Sequence, residues 1–180
     1  MTDEEALLRA VIADPDDDAP RLIYADWLDE QGKADRAEFI RVQCALQAAP
    51  PGDPRRPAWL DREVALLNDR EDEWLGRLRW LFYLWAFRRG FLEEVTLKAP
   101  TFLDNAAALF RAAPVRLVRL LKTDGVVDRL ANCPQLRRVA ALHLTGNGIG
   151  DPGATALAAS PNVAGLVTLR LGGNGIGDRG

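Results

Sequence analysis

The stretch Leu142-His143-Leu144-Thr145-Gly146-Asn147-Gly148-Ile149-Gly150-Asp151 returns 27 residues later as Leu169-Arg170-Leu171-Gly172-Gly173-Asn174-Gly175-Ile176-Gly177-Asp178. Each copy reads as a short strand, a tight glycine turn and the entry to a helix. Side chains alternate along a strand. Leu142, Leu144, Leu169 and Leu171 are therefore expected in a core, with His143 and Arg170 on the opposite face. Asn147 and Asn174 stand where the chain leaves the strand. A buried amide there can bond to backbone groups of its own turn and the next, where water does not reach. Gly148 and Gly150 permit the bend, and Ile149 and Ile176 drop back into the core. Asp151 is placed to cap the following helix, with Pro152 at its first position.

Toward the N-terminus the same rhythm continues in weaker form. Val95-Thr96-Leu97 precedes a helical stretch at 102–112, Val118-Arg119-Leu120 one at 126–132, and Leu142-His143-Leu144 one at 154–159. Spacings between the second leucines of successive strands are 23, 24 and 27 residues, so the first repeats are degenerate. Pro100 and Thr123 occupy the place of the asparagine in those repeats, which predicts less regular turns.

The pattern L-x-L-x-x-N, continued as G-N-x-I-G-D-x-G-A-x-A-L-A, resembles the ribonuclease-inhibitor type of leucine-rich repeat. That resemblance implies an α/β fold: a short right-handed solenoid with parallel strands inside and helices outside. A second resemblance covers about residues 4–43 and is densest in Arg21-Leu22-Ile23-Tyr24-Ala25-Asp26-Trp27-Leu28-Asp29-Glu30. This segment is similar to the bacterial repeat-companion domain, which often precedes such repeats and brings no activity or catalytic residue with it.

Residues 1–48 read as a domain of three short helices. Thr2 and Glu5 have capping-box spacing, and Leu7, Leu8, Val11 and Ile12 make one apolar face. Asp14-Pro15 stops that helix, and Asp18 is placed to cap the next, with Pro20 in its first turn. Leu22, Ile23, Trp27 and Leu28 are its expected buried side, Gly32 its terminator, and Phe39, Ile40, Gln43 and Leu46 the marks of the third helix. Residues 49–90 read as a proline-rich linker (49–57), a connector helix (about 58–76, with Trp59, Leu60, Val64, Leu67, Trp74 and Leu75) and an aromatic cap. That cap gathers Trp74, Trp80, Phe82, Tyr83, Trp85, Phe87 and Phe91, expected as core. Arg88-Arg89-Gly90 is a turn between two extended segments, and residues 91–180 are the solenoid. The chain stops where a final helix would begin. The reading is a fragment of a longer array, pairing of the 168–171 edge with another copy, or fraying; fraying or weak self-association is the expectation.

Composition narrows the classes. Net charge is −3 and the pI about 5.3, so no overall basic field recruits nucleic acid. The greasiest run, Leu78 to Phe87, is ten residues long and holds Arg79. A membrane span needs about 20 apolar residues. The N-terminus is acidic and has no apolar stretch of a secretory signal. Cys44 and Cys133 are isolated, which suggests neither a zinc site nor a disulfide framework and fits a reducing cytoplasm.

No catalytic residues, metal ligands or cofactor emerge. Ser160 and His143, the single serine and histidine, are expected on opposite sides of the repeat, so no triad forms. Asp14, Asp16, Asp17 and Asp18 lack EF-hand spacing and read as capping and turn residues. Gly-rich GNGIG lacks a phosphate-loop lysine. What remains is a row: Thr96, Arg119, His143 and Arg170, flanked by Lys98, facing away from the repeat core. The row is basic in an acidic protein. It predicts a non-enzymatic interaction module whose concave face takes a protein partner with an acidic surface. The alternative is a regulatory or substrate-recruiting part of an enzyme system, with catalysis elsewhere or in the companion domain, where a hydrolytic site would draw on Asp26, Asp29 or Glu38.

Overall fold

The computed structural model describes residues 2–178 and Gly180, and these divide into two compact units. The first comprises residues up to Arg79 with Phe87–Leu92 and Arg111–Pro114; the second comprises Trp80–Ala86, Glu93–Phe110 and the residues from Val115 onward.

The first unit is built on four helices, α1 (Asp3–Ala13), α2 (Ala19–Glu30), α3 (Ala34–Ala48) and α4 (Arg56–Leu75). The Thr2/Glu5 capping box starts α1: the Glu5 N–H donates to Thr2 Oγ1 at 3.2 Å and the Thr2 N–H to Glu5 Oε2 at 3.0 Å. Gly32, at φ +73°, carries the chain past the end of α2. Val11, Tyr24, Ala25, Leu28, Ala37, Ile40, Cys44 and Phe91 form the core of this unit.

Four details depart from the sequence reading. Asp18 makes no side-chain cap; Asp17 Oδ1 accepts the Ala19 N–H at 2.9 Å instead, and Asp18 pairs with Arg89 at 3.3 Å. Leu22 (39% exposed) and Ile23 (56%) face solvent, and α2 buries Arg21, Tyr24, Ala25 and Leu28. The helical period is kept but rotated, because Arg21 is fully buried with its own set of acceptors. Its Nη1 donates to the Arg88 and Arg89 carbonyls (3.2 and 3.1 Å) and its Nη2 to Pro15 O at 2.7 Å. On α4, Leu60 and Val64 are exposed and Leu66 is buried. The aromatic cap divides: Phe82, Phe87 and Phe91 are buried, whereas Trp80 is 87% and Tyr83 53% exposed.

Arg89 (φ +47°) and Gly90 (φ +85°) make a two-residue turn of the kind that matches strand twist. A side chain at Gly90 would run into Ile40, whose Cα lies 2.7 Å from the Cβ position. The buried Gln43 amide fixes this turn, accepting the Gly90 N–H at 2.7 Å and donating to Phe87 O at 3.3 Å.

A mixed sheet has the order β1 (Leu84–Arg88), β2 (Phe91–Lys98), β3 (Leu117–Leu121), β4 (Ala141–His143), β5 (Thr168–Arg170). Strands β2 to β5 are parallel, and the helices α5 (Ala99–Ala112), α6 (Val127–Ala131) and α7 (Gly150–Ala158) connect them. The fold is therefore α/β, with seven α-helices and a five-stranded sheet among the described residues. In the second unit Leu97, Phe102, Leu109, Val118, Leu120, Leu130, Leu136, Leu142, Leu144 and Leu157 are essentially inaccessible. Among the described residues no helix is long and apolar enough to cross a membrane.

Candidate functional site on the strand face

The repeat turns are joined by an asparagine ladder. Asn147 Oδ1 accepts the Thr123 N–H at 3.1 Å, and its Nδ2 donates to Leu120 O and Leu144 O, each at 2.9 Å. Asn174 repeats the arrangement one step on, accepting the Asn147 N–H at 2.7 Å and donating to Leu144 O at 2.8 Å and Leu171 O at 2.7 Å. Each amide thus ties its own turn to the one before it. Thr123 supplies only its backbone to the ladder, and its buried hydroxyl has no hydrogen-bond partner. Asp151 does not cap α7, which begins after Ile149; its carboxylate accepts the Gly177 N–H at 2.6 Å. That bond crosses to the next turn, as does the one from the Gly150 N–H to Asn174 O. Leu142, Leu144 and Ile149 are buried, Leu171 and Ile176 are half-buried, and Leu169, expected in the core, is 40% exposed.

This ladder and the strand pairing set the row. Thr96 lies opposite Arg119, Arg119 opposite His143, and His143 opposite Arg170. Lys98 lies two residues beyond Thr96, opposite Leu121. Strand neighbours are about 4.8 Å apart, so the four positions form a line across the sheet. Accessibility along it is uneven. Arg119 and Arg170 are exposed, whereas Thr96 and His143, expected to be solvated, are buried. Long arginines on either side cover the shorter imidazole between them. Arg119 Nη2 stands 3.5 Å from His143 Nδ1. Burial first, then the Arg170 and Arg119 charges, hold the His143 imidazole below its ordinary value, with Glu94 opposing. A neutral ring is then an acceptor for Arg119 and adds no charge between two guanidiniums. Among the described residues neither Arg119 nor Arg170 has an ion-pair partner.

One part of this face was not singled out from sequence. Leu84, Trp85 and Ala86 of β1 stand with Glu94, Thr96, Leu117 and Arg119 around a groove of about 140 Å³ at the head of the row. The signal was the extended segment before the Arg88-Arg89-Gly90 turn.

The remaining candidates have structural partners. Asp26 and Asp29 both bind Arg41, at 2.7 and 2.6 Å, and Glu38 binds Arg62 at 2.6 Å. Arg62 holds the Glu38 carboxyl below the usual range, opposite to the direction a proton donor needs. Ser160 gives its proton to the Ala131 carbonyl, and Asn162, also unremarked in the sequence, donates to the same oxygen at 3.0 Å. Cys44 and Cys133 are buried thiols outside any disulfide, and burial pushes Cys133 up. Among the described residues, no three histidine, cysteine or carboxylate side chains are placed to hold a metal ion.

With this geometry in view, the comparisons assign a class to the C-terminal part. A family model described as Leucine Rich repeat matches residues 140–158 and 166–180, the two copies of the repeated phrase. No curated protein and no solved structure matches the chain. The protein therefore carries leucine-rich repeats over 140–180, a motif that points to protein–protein interaction.

Proposed function

We propose that residues 91–180 form a right-handed solenoid of the ribonuclease-inhibitor type, and that its concave strand face binds a protein partner with an acidic surface. In this reading the protein is not an enzyme, works in the bacterial cytoplasm, and carries an N-terminal repeat-companion domain. The observation that carries the proposal is the lateral row, in which Arg119 and Arg170 flank a buried His143 without ion-pair partners among the described residues. Two guanidiniums without ion pairs, held on β3 and β5 of one sheet with β4 between them, are pre-positioned for carboxylates and lose little freedom on binding. Lys98 extends the same charge toward β2.

The test compares capture by the full chain with capture by an Arg119→Glu/Arg170→Glu variant that keeps its circular dichroism. Two exposed substitutions should leave stability within about 0.5 kcal/mol. A partner bound by the wild type and lost by the variant supports the strand face. Equal capture by both moves the interface elsewhere.

A further inference from the structure

A cleft of about 580 Å³ in the first compact unit is lined by a cation that makes no ion pair among the described residues. The Arg36 guanidinium stands inside an aromatic box, its carbon 4.7 Å from the Trp74 ring centre and 5.5 Å from those of Phe39, Phe87 and Phe91. Ring faces attract a cation but accept no in-plane hydrogen bond from it. The Nη1 atom is buried with no hydrogen-bond partner. Burial lowers Arg36 to about 10, with the Tyr24 phenol opposing. That phenol is itself committed, donating to Glu4 Oε1 at 3.1 Å.

The other charges lining the cleft are paired with one another. Lys33 pairs with Glu4 at 3.3 Å, and Arg70 pairs with Asp35 at 2.9 Å and Glu73 at 3.3 Å. The lining as a whole sums to zero, and Arg36 is the one charged group of it without an ion pair among the described residues; it is also the most desolvated. A guanidinium presents a planar fork of donors that matches a carboxylate. The walls beside it, Leu8, Leu28, Trp74 and Phe91, are apolar. The volume falls within the range of small-molecule sites, roughly 300–1,000 Å³.

We propose that this cleft is a binding site for a small amphipathic monocarboxylate, with the carboxylate on Arg36 and the hydrocarbon against Trp74 and Phe91. The site is independent of the strand face. Nothing in the asparagine ladder or the arginine row contributes to it.

Octanoate and benzoate are the probes, titrated into the full chain with arginine side chains labelled with nitrogen-15. The Arg36 Nε–H resonance is expected to shift and saturate, and octanol and benzyl alcohol should bind at least about tenfold more weakly, the worth of one charge-assisted hydrogen bond. Ala34 is exposed and lines the cleft. Ala34→Trp should abolish the shift while leaving the melting temperature unchanged, which separates loss of the site from loss of the fold. Arg36→Gln should abolish binding as well, with lower stability. An Arg36 signal unmoved by either acid, equal affinity for acid and alcohol, or binding that survives Ala34→Trp would each overturn the assignment. So would a response confined to peptides ending in a free carboxylate, since the small acid is then not the occupant.

Discussion

Asn147 and Arg21 are both polar and both buried, yet the two regions that bury them solve the problem in different ways. In the repeats the solution is periodic. Asn147 and Asn174 make equivalent bonds to equivalent turns, one repeat apart. In the helical unit it is singular. Arg21 reaches three carbonyls contributed by two separate stretches of chain, and Arg36 is enclosed by four aromatic rings. A periodic solution announces itself in the sequence because it must be written more than once. A singular one is visible only when distant residues have been brought together.

The contrast can be broken most severely at Arg21. Arg21→Leu leaves the carbonyls of Pro15, Arg88 and Arg89 without their buried donor. Urea unfolding should show a loss of about 3–5 kcal/mol. A loss below about 1 kcal/mol would mean that water replaces the guanidinium without cost. Gly90→Ala comes next. The combination of φ +85° and collision with Ile40 should cost about 2–4 kcal/mol, read from the same unfolding midpoint.

Asn147→Ala should cost about 2–3 kcal/mol, since it orphans the Thr123 N–H and withdraws a donor from Leu120 O and Leu144 O. Hydrogen exchange sharpens the point: the Thr123 amide should lose protection in Asn147→Ala, and the Asn147 amide in Asn174→Ala. Protection that stays unchanged would show that the ladder is decorative.

The smallest expected effect is at His143. Its folded value lies below the ordinary 6.5, so the unfolded chain takes up this proton first as pH falls. Its contribution to stability is therefore complete above about pH 6.5 and is lost as pH falls from there through the folded value. Arg170→Gln removes a flanking charge and should move the titration of this single histidine upward, with stability changed by no more than about 0.5 kcal/mol. An acidic partner on the row should move it the same way. Proton NMR of the imidazole reads both, and a downward move with Arg170→Gln would contradict the electrostatic account.

The same division explains what could be read from the residues alone. The repeated phrase located β4, β5 and the asparagines, and the Thr2/Glu5 spacing located the start of α1. Both are local signals with a fixed geometry. The row across the sheet followed from alternation within strands plus their pairing. The buried face of α2 did not, because apolar periodicity places Leu22 and Ile23 inside and has no means of placing Arg21 there. The aromatic residues showed a cluster but not its division, since Trp80 and Tyr83 differ from Phe87 and Phe91 only in what folds over them. Arg36 was legible as a charged residue of the N-terminal segment. Its box required Phe39, Trp74, Phe87 and Phe91, which are spread over more than 50 residues of chain.

The asparagine ladder also has a grammar. Each asparagine completes the clause before it: residue 147 closes the turn at Thr123, and residue 174 closes the turn at Asn147. A duplicated repeat inserted downstream would therefore arrive with the piece its predecessor lacks. A copy that lost its asparagine would strip one bond from its own turn and leave its neighbour's unfinished as well. Selection on one unit is then read out in the unit before it as well as in its own.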